Sequence, residues 1–206
     1  MLKLFYYPGA CSLAPHVVLE WIGAPYEAVR VKLGDPAYAA SINPAGAVPA
    51  LDTGEGWILT QAGAVLHYLA RRFPQAALGS DGSLRDQAEL DRWSHFLTGD
   101  LHPAFFPLFS PQRYTASEDK SALDAVRTAA QALVQKKLAL LEAHLAGKAH
   151  VVGGRRTFID AYALPMLRWA RAMLPGGFEG FPSCAGLLER LEADPATKKV
   201  LADEGL

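Results

Sequence analysis

Cysteine is scarce: Cys11 and Cys184 are the two thiols in 206 residues. Two thiols so far apart do not make a disulfide framework, which points to a reducing compartment. Charge of one sign is lacking as well, since 20 Lys and Arg face 21 Asp and Glu for a net charge of −1. That balance leaves no electrostatic footprint for nucleic acid, and no Lys/Arg cluster interleaved with aromatics supplies one. No apolar run approaches the ~18 residues of a membrane span. The first residues enter a strand pattern at once, without a charged region followed by a long apolar stretch. A soluble cytoplasmic protein with no membrane partner is expected. Repeats and low-complexity tracts are missing too. Half of the residues are hydrophobic and a fifth charged, so the chain is globular and long enough to bury a core in one or two domains.

The first third alternates strand and helix signals. Leu2 to Tyr7 is aromatic-rich and reads as a strand. Ser12 is a candidate N-cap, with Pro15 in the first turn that follows. Leu13, Val17 and Trp21, with Val18 and Ile22, recur at helical spacing until Gly23. Tyr26 to Leu33 alternates as a second strand. Asn43-Pro44-Ala45-Gly46 reads as a loop. Ala47 to Leu51 and Trp57 to Leu59 read as short strands joined by a hairpin. Thr60 is a candidate cap for a helix carrying Val65, Leu66 and Leu69. Pro74 to Asp86 is rich in Pro, Gly, Ser and Asp and reads as a linker. Beyond it only helical periodicity appears. One helix carries Leu90, Trp93, Leu97 and Leu101, and a longer one spans about residues 117–145. Thr157-Phe158-Ile159-Asp160 is a capping-box variant with Asp in place of Glu or Gln. Shorter helices near Cys184–Leu191 and Pro195–Ala202 follow.

Cys11 carries the strongest chemical signal. It stands where a strand gives way to a helix, close to free backbone N–H groups and the positive end of the helix dipole. Both favour thiolate, so a depressed pKa is expected. Dithiol chemistry needs a second cysteine three residues on, where Ala14 stands. Cys11 is therefore a candidate monothiol site, and a buried structural cysteine fits the same position. His95 and His102 lie seven apart on one helical face. They make no metal pair, because the spacing is two turns and no Cys or acid shares it.

These segments, in order, resemble a cytosolic glutathione transferase, most closely the bacterial beta class. The matching stretches are Pro8-Gly9-Ala10-Cys11-Ser12-Leu13, Asn43 through Leu51, Tyr68-Leu69-Ala70, Leu101-His102, Pro107-Leu108-Phe109, Thr157 through Tyr162, Leu167-Arg168-Trp169-Ala170 and Glu204-Gly205-Leu206. The resemblance implies an α/β thioredoxin-like N-terminal domain, residues 1–78, followed by an all-α C-terminal domain, residues 86–206. It implies a homodimer, glutathione as co-substrate, no metal, and a role in detoxification. It assigns Cys11 and His102 to catalysis. It assigns Cys11, Val48, Gln61, Ala62, His95, Asp100 and His102 to glutathione binding, with Val48-Pro49 as a cis pair. Phe105 and Trp169 line the site of the second, apolar substrate in such proteins, although aromatics at this spacing equally suit a core. Tyr6 and Ser12 are rival hydroxyls for the sulfur. Thr157 and Asp160 are given a folding role.

Several positions depart from the family pattern. Ala62 replaces the usual Ser or Gly, Pro103 replaces a lysine, and no lysine follows the second strand near Gly34. Weak glutathione binding is the expectation. The reading is a transferase that conjugates glutathione to apolar electrophiles, or exchanges disulfides through Cys11. A low-turnover binding protein for apolar ligands or glutathione adducts is the alternative from another class. A glutathione-dependent isomerase or dehalogenase is a further one.

Overall fold

A computed structural model of the protein describes residues 1–206. Strand β1 (Leu2–Tyr6) lies inside a four-stranded sheet with β2 (Tyr26–Arg30), β3 (Ala50–Asp52) and β4 (Ile58–Thr60), in the order β2-β1-β3-β4. β1 runs parallel to β2 and antiparallel to β3, so Leu4 faces Ala28 on one side and Leu51 on the other. A parallel neighbour requires a crossover. Helix α1 (Leu13–Ile22) supplies it and stops at Gly23, whose φ of 71° is left-handed. Helix α2 (Pro36–Ser41) lies between β2 and β3, and α3 (Ala62–Arg72) follows β4.

The rest is helical: α4 (Leu84–Phe96), a π-helical turn at Leu97–Leu101, α5 (His102–Ala104), α6 (Phe106–Phe109), α7 (Lys120–Leu145), α8 (Phe158–Met173), α9 (Pro182–Ala193) and α10 (Pro195–Glu204). Helix α8 is buried on almost every side, as an all-round apolar helix must be. It packs against α1, and a single core runs from Leu4 and Val17 through Leu69 and Leu90 to Leu138 and Leu164. The sheet with its helices thus forms a thioredoxin-like unit, followed by a helical one that shares its core. No helix is long and apolar enough to cross a membrane.

Local details differ from the sequence reading. Ser12 does not cap α1: its φ and ψ are helical, and its hydroxyl bonds the N–H and C=O of Tyr7 at 3.1 and 3.2 Å. Thr60 belongs to β4, and Gln61 occupies the cap position of α3. Helix α2, six residues long, is too short to show a periodicity; the Asp35 side chain caps it by accepting from the N–H of Ala37. Residues 74–86, read as a linker, are tied to the helical unit at two points. Leu78 is buried and its carbonyl accepts from the N–H of Phe158 at 3.0 Å, while Arg155 ties the Gly79 carbonyl to Asp86. The single helix expected through Leu101 is interrupted by the π turn. A π turn takes more residues than an α turn and shifts the face of everything beyond it. His95, before the turn, stands exposed, and His102, just beyond it, is half-buried.

Candidate active site

The Tyr7–Ser12 loop between β1 and α1 is held from both flanks. Ser12, fully buried, pins it to Tyr7. The N–H of Gly9 donates to Glu204 at 2.9 Å, and the Gly9 carbonyl accepts from the indole N–H of Trp169 at 2.8 Å. Gly9 has φ 70°, a conformation that suits glycine and lets both backbone groups face the helical unit. This loop forms the floor of a cavity of about 1170 Å³ between the sheet unit and helices α4, α5, α6 and α8.

Cys11 lies on that floor with its Sγ donating to the Val48 carbonyl at 3.3 Å. It is 9% exposed. Burial pushes its thiol up to about 12, and the Cys11 and Ser12 N–H groups offset this only in part. The expected depression is therefore overturned for the free protein. Helix α1 starts two residues later, so its dipole acts on a side chain already sunk among Val48 and its neighbours. Low dielectric penalises the thiolate more than those N–H groups favour it.

The facing wall offers backbone donors. Val48-Pro49 is cis. The Val48 N–H has no partner within the chain, and the residue lines the cavity. Ala62, Gly63 and Ala64 open α3 with N–H groups that no side chain caps. All three residues line the same cavity. Free N–H groups at a helix start form an anion site without a hydroxyl's help. Gln61 precedes them with φ 73° and ψ 117°, a sparsely populated conformation for a residue with a Cβ. Gly63 leaves room for the helical unit: a Cβ there would come within 2.9 Å of the Thr98 methyl.

The second wall is aromatic. The His102 ring lies 5.2 Å from Trp169 and 5.0 Å from Phe106, and its Nδ1 is 3.2 Å from the Tyr162 hydroxyl. Burial lowers the His102 pKa to about 4, so the imidazole is neutral at pH 7 and brings no cation to the sulfur. Trp169 lines the cavity, as do Phe106 and Phe109. Phe105 does not. It is fully buried behind Trp169, 5.4 Å between rings, because the turn from α5 into α6 presents the next residue to the cavity.

Other sequence candidates are placed variously. His95 lines the cavity from its exposed position, its Nδ1 2.6 Å from the Asp91 carbonyl. Asp100 lies outside the cavity lining, exposed and paired with Lys137 of the same chain. Tyr6 packs on His16 behind the loop, 5.1 Å between rings, and Tyr7 takes the cavity side. Tyr162 is a lining residue that sequence reasoning left in the capped helix. Its signal was present: it precedes Trp169 by two helical turns and so shares its face. No group of three His, Cys, Asp or Glu side chains comes together to hold a metal ion.

Residues 1–71 match the glutathione S-transferase N-terminal domain and residues 124–190 the C-terminal domain of the same family. The chain belongs to the glutathione S-transferase family. It is 38% identical to a glutathione S-transferase of Xanthomonas campestris over the full length of both chains. A bacterial beta class transferase of Sphingomonas chungbukensis superposes with a TM-score of 0.86 at 35% identity, covering 99% of each chain. A sphingomonad glutathione S-transferase solved in complex with glutathione gives 0.85 at 35% identity, again over 99% of each chain. The sheet-and-helix unit and the helical unit behind it are thus those of this family.

Proposed function

We propose that the protein is a glutathione transferase in which Cys11 acts by hydrogen bonding. The observation that carries this is the pairing of two walls across Cys11: free N–H groups of Val48 and Ala62–Ala64 on one side, and Phe106, Phe109 and Trp169 on the other. A tripeptide carboxylate suits the first wall and an apolar electrophile the second. In this reading Val48 meets the cysteinyl backbone, while Gln61 and Ala62 take the γ-glutamyl end. His95 serves at the rim. The glutathione thiol loses its proton to solvent, and its sulfur lone pair forms the new C–S bond as the leaving group departs with its electrons.

The Cys11 thiol, held neutral by burial, stabilises that thiolate when its one S–H turns from the Val48 carbonyl to the bound sulfur. His102, neutral as well, orients the Tyr162 hydroxyl toward the same region. The same neutrality disfavours Cys11 as a covalent nucleophile in disulfide exchange. We extend the reading to a glutathione-binding domain of residues 1–78, a helical domain of residues 86–206 carrying the electrophile site, a homodimer, and a cytoplasmic setting. Asp100 has no place in the site of one subunit; a role would have to run across the dimer.

Initial rates with chlorodinitrobenzene over a range of glutathione concentrations test this reading. Saturable turnover is expected, with Cys11→Ser keeping most of it and Cys11→Ala losing about tenfold for one charge-assisted hydrogen bond. Glutathione binding by calorimetry without turnover above the uncatalysed rate would make the protein a carrier instead. Light scattering at twice the 22.2 kDa chain mass checks the dimer.

A further inference from the structure

The cavity wall holds one permanently charged side chain, Arg113, and no Asp, Glu or Lys. Seven other arginines pair with a carboxylate: Arg72, Arg92, Arg127, Arg155, Arg156, Arg168 and Arg171. Arg113 has no such partner; Arg30, Arg71, Arg85 and Arg190 have none either, but of these five Arg113 alone lines the cavity. It ends a short 3-10 turn, Pro111–Arg113, directly after α6, and the buried Pro111 anchors that turn. Phe109, one turn earlier, packs 5.1 Å from Trp169, and Trp169 bonds the Gly9 carbonyl beside Cys11. The chain thus runs from the catalytic floor up an aromatic wall to an exposed, unpaired guanidinium at the mouth.

Resting on the transferase reading, we infer that Arg113 is the anion-recognition point of the second-substrate site. The favoured electrophiles are then aromatic or alkyl bodies bearing a carboxylate remote from the reacting carbon. A guanidinium fork matches a carboxylate with two parallel hydrogen bonds. The aromatic wall below it holds the apolar body, and no acid in the cavity competes for the charge. The carboxylate of the γ-glutamyl end has its own donors at the α3 start, on the opposite wall. The position at the mouth makes the attraction sensitive to salt.

The test uses 4-chloro-3,5-dinitrobenzoate and its carboxamide, which differ in charge at one position para to the reacting carbon. In each reaction the thiolate forms the C–S bond, the C–Cl bond breaks and chloride leaves with the pair. Rates are divided by the uncatalysed rate of the same compound. The carboxylate-to-carboxamide ratio of kcat/KM is expected to fall about three- to tenfold in Arg113→Met, to recover partly in Arg113→Lys, and to fall in wild type at high salt. Calorimetric binding of the two preformed glutathione conjugates gives the same ratio without turnover. It separates this proposal from the transferase reading: discrimination between conjugates with no turnover upholds Arg113 and sinks the enzyme, whereas turnover with an unchanged ratio does the reverse. A loss of affinity for glutathione alone in Arg113→Met would put the glycyl carboxylate on Arg113 and overturn the proposal.

Discussion

Alkylation of Cys11 in the free protein tests the electrostatic reasoning most directly. Burial holds the thiol at about 12, and the Cys11 and Ser12 N–H groups offset it only in part. At pH 7 roughly 1 in 100,000 of such thiols is ionised, against about 3% of an ordinary thiol with pKa ~8.5. That is a deficit of about 3,000-fold in thiolate. The more basic thiolate is intrinsically the better nucleophile, and a Brønsted slope of ~0.45 over ~3.5 units returns about 40-fold. The net expectation is a rate with iodoacetamide about a hundredfold below that of free glutathione, and lower still if access limits the reagent. The assay is mass-spectrometric mapping of the Cys11 peptide after timed quenching. Cys184 serves as a fully buried internal control, its thiol likewise raised by burial. The Cys11 rate should climb about tenfold per pH unit through pH 9 without a plateau, as a thiolate fraction far below its pKa must. A rate at pH 7 equal to that of glutathione, or a plateau below pH 9, would refute the argument from burial. It would restore the helix dipole as the dominant influence.

Further outcomes follow from the same geometry. The buried Asp160 carboxylate accepts from the N–H of Thr157 at 2.8 Å and of Val151 at 2.9 Å. Asp160→Ala should therefore cost about 3–5 kcal/mol and lower Tm by about 6–20 °C, with kcat per titrated active site kept; calorimetric melting reads the first and rates well below Tm the second. His102, depressed to about 4, stays neutral in the folded state while the unfolded chain takes up a proton below pH ~6.5. The unfolded state then binds more protons, so stability falls as the pH drops through this window. Between pH 7 and 4.5 urea titrations should show wild type losing about 2–3 kcal/mol more than His102→Gln; equal slopes would mean that His102 is not the group responsible. Gln61 is held at φ 73°. Gln61→Gly should relieve about 1 kcal/mol of strain and raise Tm slightly while calorimetric glutathione affinity drops severalfold, and a variant both less stable and equally tight would contradict this.

Much of the architecture was legible along the chain, because it rests on local rules. Periodicity located α1, α3, α7 and α8. Gly23 announced the end of α1, and Thr157 with Asp160 announced the start of α8. In the folded protein both halves of the capping box form: Asp160 accepts from the N–H of Thr157, and the Thr157 hydroxyl faces the N–H of Asp160 and accepts from that of Ile159 at 3.3 Å. Placing Cys11 at a strand-to-helix junction also followed from pattern alone. What lay beyond local rules depended on partners distant in sequence. Ser12 reads as a cap until Tyr7 claims its hydroxyl. Residues 74–86 read as a linker, and only the fold shows that Leu78 within it meets Phe158. The π turn cannot be read from spacing, yet it decides which face His102 presents, and the turn after it exchanges Phe105 for Phe106 at the cavity. Above all, the charge state at Cys11 is a property of its surroundings. A helix start argues for thiolate, but the depth of burial beneath Val48 and the helical unit is set by packing between halves of the chain. That desolvation outweighs the local dipole, and no segment of the sequence contains it.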